Sequence, residues 1–124
     1  MILVIDNDDS VLNAIQLALK DYGVSSFHSF QEAKDALLNN ETAIRLALVS
    51  NKEDIEIISN FIYRVNPTIP IFIMGIVDCS GPVKNVRGFL NKPFSLEALL
   101  GIVNSKHPNF DDVVFDPLGL LSKR

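Results

Sequence analysis

Apolar positions along the chain follow two rhythms. Ile2, Leu3, Val4 and Ile5 form an unbroken run that stops at Asp6-Asn7-Asp8-Asp9, the pattern of a strand covered on both faces whose carboxyl end meets water. Leu46-Ala47-Leu48-Val49, inside Arg45 to Ser50, and the run from Ile69 to Met74 repeat it, the latter ended by Gly75. Val24 to His28 reads as a shorter, more polar strand suited to a sheet edge, and Val86 to Leu90 supplies a fifth. Between these runs the period becomes helical. Val11, Ile15, Ala18, Leu19 and Tyr22 predict a helix over Asp8 to Tyr22, with Gly23 just past its end. Ser29-Phe30-Gln31-Glu32 has the spacing of a capping box, in which each end residue's side chain takes the other's backbone N–H, and it opens a helix to about Asn39. Ile58, Phe61, Ile62 and Val65 line a third helix, stopped by Asn66-Pro67. Ser95 caps a last one that runs to about Lys106, with Leu96, Leu99, Leu100 and Val103 as its stripe.

Asp78 to Asn85 contains Gly81-Pro82 and lacks a helical period, so it reads as loop with at most one helical turn. Strands alternating with helices imply a parallel sheet covered on both faces and joined by right-handed crossovers. The functional crevice of such a sheet lies beyond the carboxyl ends of its strands. Those ends carry Asp6 and Asn7, then Ser50 and Asn51, then Gly75, and finally Asn91-Lys92-Pro93.

Composition narrows the function classes. The 124 residues hold 11 Lys and Arg against 15 Asp and Glu, a net charge of −4. A chain that displaces counterions from nucleic-acid phosphates needs a basic face, so nucleic acid is not an expected partner. The apolar stretch from Ile55 to Val77 is broken by Glu56, Arg64, Asn66, Pro67 and Pro70, which excludes a membrane span of about 20 residues. The lone Cys79 forms no internal bridge, no secretory pattern follows Met1, and the expected location is cytoplasmic. One domain over residues 1–107 is expected, followed by an apolar tail over 108–124.

On Ile2-Leu3-Val4-Ile5-Asp6-Asn7-Asp8, Ile69-Pro70-Ile71-Phe72-Ile73-Met74 and, most specifically, Gly88-Phe89-Leu90-Asn91-Lys92-Pro93-Phe94, the chain resembles the receiver domain of two-component response regulators. The resemblance implies a flavodoxin-like doubly wound sheet of order 2-1-3-4-5. It also implies a pocket in which an acidic pair after strand one and an Asp after strand three bind Mg²⁺. That third Asp accepts a phosphoryl group, a Ser or Thr after strand four moves to touch it, and the Lys before the Pro pairs with it. Matched residue by residue, Asp6 is the first acid and the second falls on Asn7. The acceptor position falls on Ser50, or on Asn51 if the register slips by one. The Ser/Thr position falls on Gly75, and the Lys-Pro pair is Lys92-Pro93, with Pro93 a candidate cis peptide. From Gly75 to Lys92 is 17 positions, fewer than receivers have, so the family's helix 4 is expected to be shortened or absent.

One carboxylate beside an amide and a hydroxyl is a poor donor set for Mg²⁺, which demands anionic oxygens in tight octahedral geometry. No metal and no cofactor are expected. An acyl phosphate needs a carboxylate nucleophile, which Ser50 is not, and Gly75 has no hydroxyl to bring to a phosphate. Asp6 and Lys92 then read as a structural ion pair. The expected function is a phosphorylation-independent pseudo-receiver, not an enzyme, that binds protein partners of a signalling pathway, a second copy of itself among the candidates. Two alternatives stay open: phosphorylation at a non-standard residue, Asp54 or Ser50, and sensing of a small anion or nucleotide in the vacated pocket.

The remaining polar residues have plainer readings. Asp8 and Asp9 suit the positive end of a helix dipole. Lys52, Glu53, Asp54 and Glu56 read as a solvated helix start. His28 and His107 lack a partner and a metal-ligand spacing and read as surface histidines, and Cys79 has no basic neighbour before Lys84 that would activate it. The tail carries Phe110, Val113, Val114, Phe115, Leu118, Leu120 and Leu121, too apolar for a flexible linker. It either packs on its own domain or serves a partner groove or a further module, with Phe115, Leu118, Leu120 and Leu121 as partner-binding candidates.

Overall fold

A computed structural model describes residues 1–75, 84–92 and 94–104. The strands are β1 (Ile2–Ile5), β2 (Val24–Phe27), β3 (Leu46–Ser50), β4 (Ile71–Met74) and β5 (Val86–Leu90), and the helices are α1 (Asp9–Ala18), α2 (Phe30–Asn39), α3 (Ile55–Val65) and α4 (Leu96–Val103). All strands are parallel, in the order β2-β1-β3-β4-β5, the flavodoxin-like order expected. The three wholly apolar runs became the three central strands because only there is a strand covered on both faces. Every residue of β1, β3 and β4 is buried, whereas the polar β2 is half-buried at one edge.

Alternation along the strands sorts the core into two layers. Leu3, Ile5, Ala47, Val49, Ile71, Ile73 and Phe89 pack with Ala33 and Leu37 of α2 and Ile55, Ile58 and Ile62 of α3. Ile2, Val4, Leu46, Leu48, Phe72, Met74 and Leu90 pack on the other face with Leu12 and Ile15 of α1 and Leu99, Ile102 and Val103 of α4. In a parallel sheet every helix then starts at the carboxyl edge. Asp8, Ser29, Asp54 and Ser95 accept hydrogen bonds from the first-turn N–H groups of Ser10, Glu32, Ile57 and Ala98, which fixes where each strand's last residue points its backbone.

Several local expectations need correction. The first helix stops at Ala18 and continues as a tight 3-10 turn over Lys20–Tyr22. Leu19 is fully buried there, and the tightening lets the chain reach Gly23, whose φ of 76° reverses it into β2. The capping box is only half formed: Ser29 Oγ accepts from the Glu32 N–H at 3.3 Å, but Glu32 Oε1 accepts from the His28 N–H at 3.1 Å instead of from Ser29. The last helix ends at Val103, and Leu96, expected in its stripe, is exposed while Ile102 is buried. The Val103 carbonyl is taken up by Arg45 Nη2 at 2.8 Å, a tertiary donor to one of the helix-end carbonyls, and Tyr22 Oη donates to Asn104 Oδ1 at 2.8 Å.

The connection from β4 to β5 comprises residues 75–85, near the lower limit of about 10–12 residues for a crossover that contains a helix. Gly75, Lys84 and Asn85 are not helical. Residues 76–83, on which the expectation of a shortened or absent helix falls together with Cys79, lie outside the described residues. So do Pro93, His107 and the tail with Phe115, Leu118, Leu120 and Leu121. The connection re-enters the sheet at a pinned point. Asn85, at φ 68°, donates from Nδ2 to the Ile69 carbonyl at 3.0 Å, and the buried Ser59 hydroxyl of α3 donates to the Lys84 carbonyl.

Candidate functional site

The carboxyl edge gathers the residues that the sequence placed there. Asp6 follows β1 and is fully buried. Its backbone N–H donates to the Phe27 carbonyl at 3.0 Å, which holds the residue against the end of β2. One carboxylate oxygen, Oδ2, lies 2.7 Å from Lys92 Nζ, and the other, Oδ1, accepts from the Asp8 N–H at 2.9 Å. Lys92 reaches this point because β5 ends two residues earlier, and its side chain remains 26% exposed against 1% for Asp6. The pair joins residues 86 positions apart. Both oxygens of the Asp6 carboxylate are thus engaged, one of them by a cation.

Asn7 is exposed. Ser50 is fully buried as the last residue of β3, opposite Met74 of β4, and its oxygens brace the turn into α3. Oγ accepts from the Lys52 N–H at 3.2 Å, and the carbonyl accepts from the Glu53 N–H at 3.1 Å. Asp54 is exposed and caps α3 through the Ile57 N–H at 3.2 Å.

The next residue, Asn51, lies against Gly75. Its N–H donates to the Met74 carbonyl at 2.9 Å, and the Gly75 N–H donates to the Leu90 carbonyl at 2.7 Å, so both backbones are held by neighbouring strands. A Cβ on Gly75 would fall 2.6 Å from Asn51 Cγ and Nδ2 and 2.9 Å from Oδ1, and the φ of Gly75 is +99°. Glycine is therefore favoured by conformation, and a Cβ at this position would make the end of the Asn51 side chain shift. Sequence reasoning assigned Gly75 only a missing hydroxyl and ranked Ser50 ahead of Asn51. The β3–β4 register, which puts the residue after Ser50 beside the residue after Met74, is the signal that separates them.

Mg²⁺, the ion that the sequence resemblance implies, does not fit this donor set. Asp6 supplies one carboxylate already bound by Lys92, and Asn7, Ser50 and Asn51 supply no further negative charge. Among the described residues, no group of three or more His, Cys, Asp and Glu side chains is arranged to hold a metal ion.

Solved structures carry the same architecture. The signal receiver domain of an HD domain-containing protein from Pseudomonas fluorescens Pf-5 matches with a TM-score of 0.71 and 18% identity, over 82% of this chain and 82% of that one. A response regulator receiver domain protein from Methanospirillum hungatei JF-1 matches with a TM-score of 0.69 and 22% identity, over 82% and 88% of the two chains. This chain has the receiver fold. A two-component response regulator from Clostridium difficile has a TM-score of 0.67 at 23% identity, over 82% and 90%. No protein-family model and no curated protein matches the sequence. Such low identities establish the receiver fold and leave the site to be argued from its own residues.

One ionisable cluster on the rim was missed. His28, at the end of the edge strand, has Nε2 2.5 Å from Asp9 Oδ1 and Nδ1 3.7 Å from Glu32 Oε1. The hydrogen bond and charge of Asp9, with a smaller contribution from Glu32, raise the His28 pKa above its ordinary 6.5. The reading of a histidine without a partner is therefore corrected, since α1 and α2 bring its partners from positions 9 and 32. Because the folded-state pKa is raised, the clasp contributes its full stability below pH 6.5 and loses it as pH rises through the folded value. His28→Gln should accordingly lower the urea midpoint at acidic pH and leave it unchanged at alkaline pH.

Proposed function

We propose that this chain is a receiver-fold signalling module that works by binding protein partners and carries out no phosphoryl transfer. The observation that carries this reading is the Asp6–Lys92 pair at 2.7 Å, with Asn7, Ser50, Asn51 and Gly75 at the other strand ends supplying no second carboxylate. In a phosphoryl-transfer site the cation and the acids would be left to a metal and an incoming phosphate. Here they neutralise each other, and the neighbours Asn7, Ser50, Asn51 and Gly75 are neutral. Neither alternative acceptor is supported by its surroundings. Ser50 has no exposed surface, its hydroxyl oxygen is engaged by Lys52, and Asp54 is engaged as a helix cap.

Binding is therefore the remaining use of the fold. The net charge of −4 favours a protein partner over nucleic acid. Among the described residues no helix is long and apolar enough to cross a membrane. A cytoplasmic location and a tail over 108–124 that contacts the partner through Phe115, Leu118, Leu120 and Leu121 complete the proposal.

The test is an amide NMR titration with Mg²⁺ and beryllofluoride, and in parallel with acetyl phosphate. No saturable shift is expected at Asp6, Ser50, Asn51 or Lys92. Saturable shifts centred on these four residues would refute the reading.

A further inference from the structure

The clasp on the rim has a chemical asymmetry that goes beyond its effect on stability, whatever partner the domain binds. Its two carboxylates come from different helices and address different nitrogens of one ring. Asp9 Oδ1, from the first turn of α1, lies 2.5 Å from His28 Nε2, and Glu32 Oε1, from the first turn of α2, lies 3.7 Å from Nδ1. An imidazolium carries a proton on each nitrogen, whereas a neutral imidazole carries one proton and leaves a lone pair on the other nitrogen. Only the protonated ring can therefore serve both carboxylates. We propose that His28 is a proton-operated tie between α1 and α2 at the end of the edge strand, closed on both carboxylates in the imidazolium form and open at Glu32 in the neutral form.

The geometry indicates which side opens. The Asp9 contact is at hydrogen-bond distance and the Glu32 contact is longer, so a single remaining proton stays on Nε2 with Asp9. The Nδ1 lone pair then faces an anionic oxygen, and the attraction that held Glu32 to the ring is replaced by repulsion. That same oxygen accepts from the His28 backbone N–H at 3.1 Å. Phe27 turns its carbonyl to the Asp6 N–H at the end of β1, so the alternation of a strand points the next N–H, that of His28, to the outer edge of the sheet. Outward donors on an edge strand invite pairing with another chain, and Glu32 covers this one. The proton on the imidazole thus decides how firmly the cover is held.

Solvent reaches the tie, because the side chains of His28, Asp9 and Glu32 are all more than half exposed, and the proton exchanges with bulk water. Among the described residues the charged groups that act on the ring are Asp9 of α1 and Glu32 of α2, and they keep it protonated to higher pH than a free histidine, Asp9 contributing more.

A pH titration of the full chain by NMR tests the tie, with the ring 15N signals reporting the position of the proton. Below the midpoint, protons are expected on both ring nitrogens, with nuclear Overhauser effects from the ring to the Asp9 β protons and to the Glu32 γ protons. Above it, the proton is expected on Nε2, the effects to Glu32 should vanish and those to Asp9 should persist. Asp9→Asn and Glu32→Gln, both at exposed positions, should each lower the midpoint, Asp9→Asn by more. A midpoint that Glu32→Gln leaves unchanged, a neutral ring protonated on Nδ1, absence of the Glu32 effects below the midpoint, or their survival above it would each overturn the proposal.

Discussion

Lys92→Met should destabilise the domain by about 3 kcal/mol, read from the urea midpoint at constant m-value. Methionine keeps most of the apolar stem and removes the ammonium, so the loss isolates the charge. Asp6 would then remain as a fully buried carboxylate with, among the described residues, only the Asp8 N–H to stabilise it. Removing one partner of a buried pair costs about 3–5 kcal/mol. The 26% exposure of Lys92 admits water to one side and places the expected loss at the lower end. Adding Asp6→Asn to Lys92→Met should recover stability, because an amide oxygen still accepts the Asp8 N–H and no charge is left stranded. Equal stabilities of the single and double variants would show that the pair is not the source of the effect.

The second large effect is expected in the layer beneath that edge. Phe72→Ala should cost about 4 kcal/mol. Phe72 is fully buried in β4, pairs in register with Leu48 of β3, and belongs to the layer closed by Leu99, Ile102 and Val103 of α4. Its partner on the other side is Gly88, where the β4–β5 register shifts. Gly88 has no side chain to collapse into the void, so much of the cavity contribution remains. Leu96→Ala on the exposed side of α4 is the control, expected within about 0.5 kcal/mol of the native chain. A similar loss at both positions would contradict the two-layer core.

The elements legible in the sequence were those whose cause is local. Unbroken apolar runs gave the central strands because burial on both faces removes the need for alternation. Asp8, Ser29 and Ser95 are caps that a sequence advertises, since the side chain meets an N–H two or three residues on. Strand order followed from the resemblance and from the chirality of crossovers. The candidate site was legible as a set of positions, Asp6, Asn7, Ser50, Gly75 and Lys92, because strand ends can be counted. What those positions do to one another could not be counted in the same way.

Two of the misread positions have a partner far away in the chain. His28 acquires Asp9 from α1, and the α4 terminus acquires Arg45 and Tyr22. Glu32 gives its carboxylate to the His28 N–H because the strand-to-helix turn presents that donor first. Leu96 falls outside the core because α4 meets the sheet along Leu99, Ile102 and Val103, an orientation that the expected stripe of four apolar residues does not choose by itself.

By itself the sequence determined a parallel α/β sheet and the identity of the residues at its carboxyl ends, Asp6, Asn7, Ser50, Gly75 and Lys92. These are matters of composition at countable positions. Tertiary structure supplied the 2.7 Å geometry of the ion pair that the sequence suggested between Asp6 and Lys92, and it alone decided that Asn51 rather than Ser50 lies against Gly75. Both depend on the register of strands far apart in the chain, where a shift of a single residue turns each side chain to the opposite face.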